Sequence, residues 1–177
     1  MGILTEVTDV DYPSETVPGI VYLDGTYYVM TPAGRICGSD INDPTSWDAL
    51  NFIQCQAEPD SGMAIARLAN YVVGFSQYST EFFYNAGNPT GSPLLPMTSA
   101  QVNLGCANGM SVVNGENTLF FIGQTRNFGR GVYTFSGTSP QKISTPFIDR
   151  ILMADDMKMS WLNYLSLIIA VISLLKN

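Results

Sequence analysis

The sequence contains no histidine among its 177 residues. This absence excludes Ser-His-Asp triads, Cys-His pairs and histidine-based metal sites. Positive charge is also scarce, because eight Lys and Arg stand against fifteen Asp and Glu and leave a formal net charge of −7. The cations are scattered along the chain, whereas binding through phosphate neutralisation needs several clustered ones. We therefore expect no sequence-specific nucleic-acid binding.

Cysteine is equally sparse. Cys37, Cys55 and Cys106 are odd in number, far apart and without a CxxC pair, so we expect buried reduced thiols and no metal or disulfide. No Gly-rich loop carries the GxxxxGK pattern, and we expect no cofactor. The first residues lack a basic start and an apolar core, which predicts no secretory signal. These features favour synthesis in a reducing compartment.

What the sequence does contain is a repeated unit of short apolar runs and turn residues. Its clearest copy, within residues 104–150, predicts four strands with a turn at Asn114-Gly115; the strands cover 110–113, 118–122, 132–135 and 142–143. The second of them, Leu119 to Ile122, is apolar without alternation. We therefore expect that its sheet is covered on both faces.

The same unit occurs twice more upstream. Asp24-Gly25 separates two apolar runs, which is a strong hairpin signal because a tight turn there needs positive φ. A weaker copy covers residues 64–84. The second strands, near Tyr27, Val72 and Leu119, recur about every 45 residues, the period of propeller blades. The predicted fold class is all-β: a partial β-propeller of about three four-stranded blades, followed by an apolar C-terminal helix.

Propellers close with about four to eight blades. Three blades would leave two open faces and exposed strand edges, so we expect that a partner covers the chain or that it forms part of a larger propeller. The predicted divisions are an N-terminal lead-in (1–18), the blades (19–152) and an apolar C-terminal tail (153–177).

The sequence pattern of the tail differs from that of the blades. From Trp161 to Leu175 it is apolar nearly all round but only about 15 residues long, short of the roughly 20 that cross a bilayer. Three interpretations stay open: a membrane anchor, a helix buried against the open blades or a neighbouring copy, and an out-of-frame end. Of these, membrane attachment is the least favoured.

Carboxylates are the remaining candidates for chemistry, since some propellers hydrolyse glycosides with two or three acidic residues. The candidates are Asp24, Asp40, Asp60 and Glu81. Local roles explain them better: Asp24 as a turn residue, Asp40 as a loop or cap residue and Glu81 as a strand residue. We expect no catalytic residue, and a carbohydrate-binding or glycoside-hydrolysing β-propeller is the alternative function.

A set of short motifs resembles one known family. The motifs are Asp43-Pro44-Thr45 with Trp47, Asn51-Phe52, Pro59-Asp60, the run from Ser79 to Asn85 with Gly87, Gly105-Cys106 before Ser111-Val112, Gly131-Val132-Tyr133 and Ile143-Ser144-Thr145. Their order and spacing from Gly19 to about Leu152 resemble the packaged-DNA stabilisation proteins, also called tail nozzle or hub proteins, of short-tailed phages.

The resemblance implies a structural virion tail component, assembled in the host cytoplasm as a homo-oligomeric ring below the portal and its adaptor. It implies that the ring helps to close the portal channel and retain packaged DNA, without catalysis. Candidate partner contacts are Trp47, Arg126 and Arg130. From the residues alone, Trp47 and Phe52 are interpreted as wedges between blades, and the two arginines as charges that flank one loop. Ser144-Thr145-Pro146 is interpreted as the end of a strand, because proline cannot donate to a ladder.

Overall fold

The computed structural model describes residues 6–154, which form three antiparallel sheets and one short α-helix. Blade 1 consists of β1 (Val21–Leu23), β2 (Thr26–Met30), β3 (Arg35–Asp40) and β4 (Asp43–Gln54). Blade 2 consists of β5 (Gly62–Leu68), β6 (Tyr71–Ser76), β7 (Thr80–Asn85) and β8 (Leu94–Pro96). Blade 3 consists of β10 (Val113–Gly115), β11 (Thr118–Thr125), β12 (Gly129–Phe135) and β13 (Pro140–Lys142), with β9 (Gly105–Cys106) paired to β11. The predicted all-β fold of three blades is confirmed.

The turns agree with the sequence in one blade and differ in another. Asp24 and Gly25 have φ of 50° and 91° and close the β1–β2 hairpin as predicted. The predicted turn at Asn114-Gly115 is wrong: both residues belong to β10, Gly115 pairs with Thr118, and the turn lies at Glu116-Asn117. Glu116 and Asn117 carry the positive φ values that a tight hairpin turn needs, 35° and 64°.

The first predicted strand of blade 3 also begins later than expected. Gly109–Ser111 is a 3₁₀ helix, and of the predicted strand residues 110–113 only Val113 belongs to β10. The Asn108 side chain accepts from the Met110 N–H at 2.8 Å, and the Ser111 hydroxyl donates to the Asn108 carbonyl at 2.6 Å. Such local side-chain bonds to the backbone compete with strand pairing.

Alternation along the strands of blade 2 divides its side chains between two cores. Val72 and Phe83 pack with blade 1, whereas Val73 and Phe82 pack with blade 3. The core between blades 2 and 3 is aromatic: the rings of Phe121 and Phe135 stack with centroids 5.3 Å apart. Blade 2 is thus buried on both faces, which explains its nearly continuous apolar strands.

The outward faces of blades 1 and 3 are covered by other parts of the chain. On blade 1, Val7 and Tyr12 of the lead-in pack against a buried cluster of Val29, Cys37 and Trp47. On blade 3, Ile148 and Leu152 of helix α1 (Pro146–Ala154) pack against Ile122 and Val132. The two faces that three blades were expected to leave open are therefore covered, at least in part, by the chain itself.

Helix α1 was not predicted, because Pro146 was interpreted as the end of a strand. Proline also suits the first turn of a helix, where its missing N–H has no intrahelical partner to lose. The helix crosses the predicted boundary after residue 152, and the apolar tail that follows lies outside the described residues. Within residues 6–154, no helix has the length and apolar character needed to cross a membrane.

Candidate functional site

The first strands of the three blades lie side by side and form a shared surface. Strand β5 contacts β1 on one side and β10 on the other. The Arg67 guanidinium donates from Nη1 to the Tyr22 carbonyl at 2.8 Å, and Asn114 Nδ2 donates to the Arg67 carbonyl at 2.8 Å. A chain of hydrogen bonds therefore joins all three blades along the surface formed by β1, β5 and β10, which we call the inner-strand surface.

Between these strands lies a depression of about 380 Å³. Its edges include Ile20 and Met110, whose side chains are 64% and 51% exposed. Arg67 is the one cation among its lining residues in the described part of the chain, and its Nε also donates to the Ala69 carbonyl at 2.8 Å. The depression thus lacks the clustered cations that phosphate binding requires. In the sequence, no local signal distinguishes Arg67 from the other scattered cations.

Two glycines allow the backbones around β5 to approach closely. A Cβ on Gly109 would lie 1.8 Å from the Met63 carbonyl oxygen, and one on Gly19 would lie 1.9 Å from the Ile65 carbonyl oxygen. Gly19 also has a φ of 104°. Any larger residue at either position would push the neighbouring blade away from β5.

Trp47 is nearly buried, with 6% of its surface exposed. Its ring packs edge-on against Tyr12 at 4.9 Å, its Nε1 donates to the Pro44 carbonyl at 2.9 Å, and its backbone N–H donates to Asp9 at 3.1 Å. The interpretation of Trp47 as a wedge between blades is wrong, because the ring packs under the lead-in on the outward face. A partner contact by Trp47 stays a prediction.

Phe52 does not lie between blades either. It is 39% exposed, and the Arg35 guanidinium lies 3.7 Å from its ring centroid. Both residues belong to blade 1, so the wedge interpretation is wrong here too. An arginine stacked on an aromatic ring instead stabilises the outer strands of this blade.

Arg126 connects blade 3 to residues of blade 2 and of the linker before it. Its guanidinium forms an ion pair with Glu58 at 2.9 Å and lies 4.4 Å from the ring centroid of Tyr78. Nearby, Gln124 Nε2 donates to the Gln77 carbonyl at 3.1 Å. Arg126 thus ties adjacent blades together, and its proposed contact with another protein stays a prediction.

Arg130 connects β12 to helix α1. Its Nη1 donates to the Leu152 carbonyl at 3.2 Å, and its backbone N–H donates to the Met153 sulfur at 3.3 Å. A cation at the C-terminal end of a helix is favoured by the helix dipole. Arg130 helps to hold α1 on blade 3, and its role as a partner contact likewise stays a prediction.

The four candidate carboxylates do not meet at one site, although Asp60 and Glu81 both lie close enough to Cys55 to raise its pKa. Asp24 accepts a hydrogen bond from Asn85, which lies at the end of β7. Glu81 lies four residues before Asn85 on the same strand, which places it about 13 Å from Asn85 at the usual rise per residue. Glu81 is buried and accepts from the Ala57 N–H at 3.0 Å. Asp40 accepts from Ser46 at 2.7 Å, and Asp60 from the Tyr78 N–H at 2.6 Å. Each of the four accepts a hydrogen bond from a neighbouring group, which explains its position without a catalytic role.

The three thiols are free and buried, as predicted. Burial raises the pKa of Cys106 to about 11 and also raises the pKa values of Cys37 and Cys55. All three are therefore protonated and weakly nucleophilic at neutral pH. In the described residues, no three His, Cys, Asp or Glu side chains are grouped so as to hold a metal ion.

Comparison with known proteins gives one family. A family model described as "Bacteriophage P22 Gp10, beta-propeller" matches residues 3–167, which include all three blades and α1. A search of curated proteins found no match.

Proposed function

The chain belongs to the family of the bacteriophage P22 Gp10 β-propeller, the DNA-stabilisation tail proteins of short-tailed phages, and from this premise we propose that its copies form a ring that closes the portal channel. The ring retains packaged DNA and contacts the portal, its adaptor or other tail proteins. It is assembled in the host cytoplasm and becomes part of the virion tail. The observation that carries the proposal is the family match, which extends over nearly the whole chain.

The inner-strand surface favours retention by physical obstruction. Its one cation, Arg67, is engaged with the carbonyl groups of Tyr22 and Ala69. The chain as a whole is strongly acidic, so it repels a phosphate backbone at any distance that salt does not screen. A barrier of this kind holds DNA without binding it and needs no catalysis.

The test is to package phage particles with and without the chain and to measure how much DNA becomes accessible to nuclease. We expect that particles without it lose DNA and that adding the chain to freshly packaged particles prevents the loss. Retention that is equal in both preparations would overturn the proposed function.

A matched variant separates obstruction from phosphate binding. Arg67→Gln removes the charge but keeps a hydrogen-bond donor for the Tyr22 carbonyl. We expect that particles carrying this variant retain DNA as well as wild-type particles, at low and at high salt. Salt-dependent leakage in the variant would show that retention depends on phosphate contact.

A further inference from the structure

Charge is distributed unevenly between the two ends of the blade stack. Residues 6–54, the lead-in and blade 1, contain one cation, Arg35, and eight carboxylates: Glu6, Asp9, Asp11, Glu15, Asp24, Asp40, Asp43 and Asp48. Residues 105–154, blade 3 and α1, contain two carboxylates, Glu116 and Asp149, and four cations: Arg126, Arg130, Lys142 and Arg150. One end is thus strongly acidic and the other is weakly basic.

The basic end presents an apolar surface on α1. Ile148 and Leu152 face blade 3, while Phe147 and Ile151 on another side of the helix are 65% and 48% exposed. Together with Arg150 and Ala154 they line one shallow concavity. We call this set of four residues, Phe147, Arg150, Ile151 and Ala154, the α1 patch. An aromatic ring beside an arginine is the composition typical of the energetic centre of an interface.

The acidic end presents a depression of about 590 Å³ between the lead-in and blade 1. Val10, Pro13, Pro32, Ala33 and Ala49 supply apolar lining, and Val10 is 95% exposed. Two exposed carboxylates of the lead-in, Asp11 and Glu15, also line it. Arg35 lines it too, but its guanidinium donates to the Ala49 carbonyl at 2.7 Å and stacks on Phe52. We call this region the lead-in depression. It combines apolar walls with two carboxylates and one cation, so the net charge of its lining is opposite to that of Arg150.

We propose that the α1 patch of one copy docks in the lead-in depression of the next copy. Phe147 and Ile151 enter the depression, and Arg150 meets Asp11 and Glu15. The proposal rests on the proposed function, because it supplies the contact between neighbouring copies of the ring.

The charges favour this head-to-tail contact over a symmetric one. Two α1 patches face to face would bring one Arg150 against another, and two lead-in depressions would bring four carboxylates together with only two arginines. Such like-charge contacts are unfavourable. A head-to-tail contact instead leaves one patch and one depression free at the ends of each complex. Further copies can therefore add until the assembly closes, as in a ring.

The test uses the full chain and measures its association by sedimentation velocity over a range of concentrations. Phe147→Asp disables the patch, and the double variant Asp11→Lys/Glu15→Lys disables the depression. We expect that each variant alone associates at least about tenfold more weakly than wild type, because each loses a central contact. We also expect that high salt weakens wild-type association.

The decisive measurement is the mixture of the two variants. Each retains the surface that the other has lost, so an equimolar mixture should form a one-to-one complex that does not grow further. Leu95→Asp on β8 and Glu116→Lys in the β10–β11 turn are matched controls, because both residues are exposed and lie outside the two surfaces. Circular dichroism should show that all variants remain folded.

The outcomes separate this contact from the proposed function. A wild-type chain that stays monomeric, variants that associate as wild type does, or a mixture without a complex would each overturn the contact. The last outcome would indicate a symmetric dimer, and unchanged association of Phe147→Asp would indicate that the tail of the same copy covers the patch. Failure of DNA retention in particles would overturn the proposed function alone, since the sedimentation result does not depend on DNA.

Discussion

Blade 2 and the two outer blades are buried by different means. Both faces of blade 2 pack against sheets of the same kind, and the core that it shares with blade 3 contains four phenylalanines: Phe75, Phe82, Phe121 and Phe135. Each outer blade packs one face against a sheet and the other against a short, unlike segment, the lead-in or α1. The clusters beneath these covers are small, so stability should be concentrated between the blades.

The largest expected loss of stability comes from a substitution in the core between blades 2 and 3. Phe82 is fully buried, and its ring lies 5.3 Å from that of Phe135. We expect Phe82→Ala to lower the free energy of unfolding by about 3–5 kcal/mol, because it leaves a cavity that the stacked sheets cannot fill. Urea denaturation measures this change. The control Phe128→Ala removes a ring that is 89% exposed and should change stability by less than about 0.5 kcal/mol.

A smaller loss of stability is expected for the cluster between α1 and blade 3. Leu152 is 2% exposed and anchors α1. We expect Leu152→Ala to cost about 2 kcal/mol, the low end for such substitutions, since a short helix at the surface can settle into the space. The neighbouring control Ile151→Ala should cost much less, because Ile151 is half exposed. A cost equal to that of Phe82→Ala would contradict the difference between inner and outer faces.

The burial of Tyr28 in the core between blades 1 and 2 can be tested by measuring how the free energy of unfolding depends on pH. Burial raises the pKa of Tyr28 to about 12, whereas an unfolded tyrosine has a pKa of about 10. The folded state therefore keeps this proton while the unfolded state loses it, and stability that is present below pH 10 is lost as the pH rises from about 10 to 12. Tyr28→Phe should remove this part of the alkaline loss in urea titrations.

The control for this titration is Tyr22→Phe, at an exposed position of the same blade. It should leave the slope of stability against pH close to that of wild type. Equal slopes for the wild type and Tyr28→Phe would show that the buried hydroxyl does not contribute to alkaline unfolding.

The smallest effect is expected at the ion pair between blades. Arg126 and Glu58 are partly exposed, at 53% and 24% of their side chains, and pairs of this kind contribute at most about 1 kcal/mol. A double-mutant cycle of Arg126→Ala and Glu58→Gln measures the coupling. We expect the coupling to fall at high salt. Coupling that persists there would indicate that the hydrogen bond from Arg126 Nε to Glu58 at 3.0 Å dominates over the attraction of the charges.

The sequence predicted the parts of the fold that depend on local pattern. The recurrence of second strands near Tyr27, Val72 and Leu119 gave the number of blades, since each falls in β2, β6 or β11. Asp24-Gly25 gave a hairpin because its backbone requirement is local. The turn predicted at Asn114-Gly115 was wrong, because β10 pairs with β11 through Gly115 and the turn lies two residues further along, at Glu116-Asn117. Register depends on partners that the local pattern does not identify.

The candidate surfaces were harder to predict. The hydrogen bonds from Arg67 to Tyr22 and from Asn114 to Arg67 join residues more than 40 positions apart, and no local signal indicates them. The packing of the lead-in on blade 1 and of α1 on blade 3 was not predicted either. For α1 one signal existed, because Ile148 and Leu152 follow a proline and have the i, i+4 spacing of one helix face. The interpretation of Pro146 as a strand end hid that signal.

The positions of the three cysteines give the molecule a built-in set of probes. Cys37 lies beneath the lead-in, Cys55 between blades 1 and 2, and Cys106 between blades 2 and 3. Cys106 is fully buried, whereas Cys37 and Cys55 are 6% and 8% exposed. A thiol reagent should react faster with each cysteine when the packing around it opens, so the labelling rate of each one reports the opening of its own region. The opening of these three regions can therefore be followed by mass spectrometry of the native chain, without introducing a new cysteine, and Cys37 should react first.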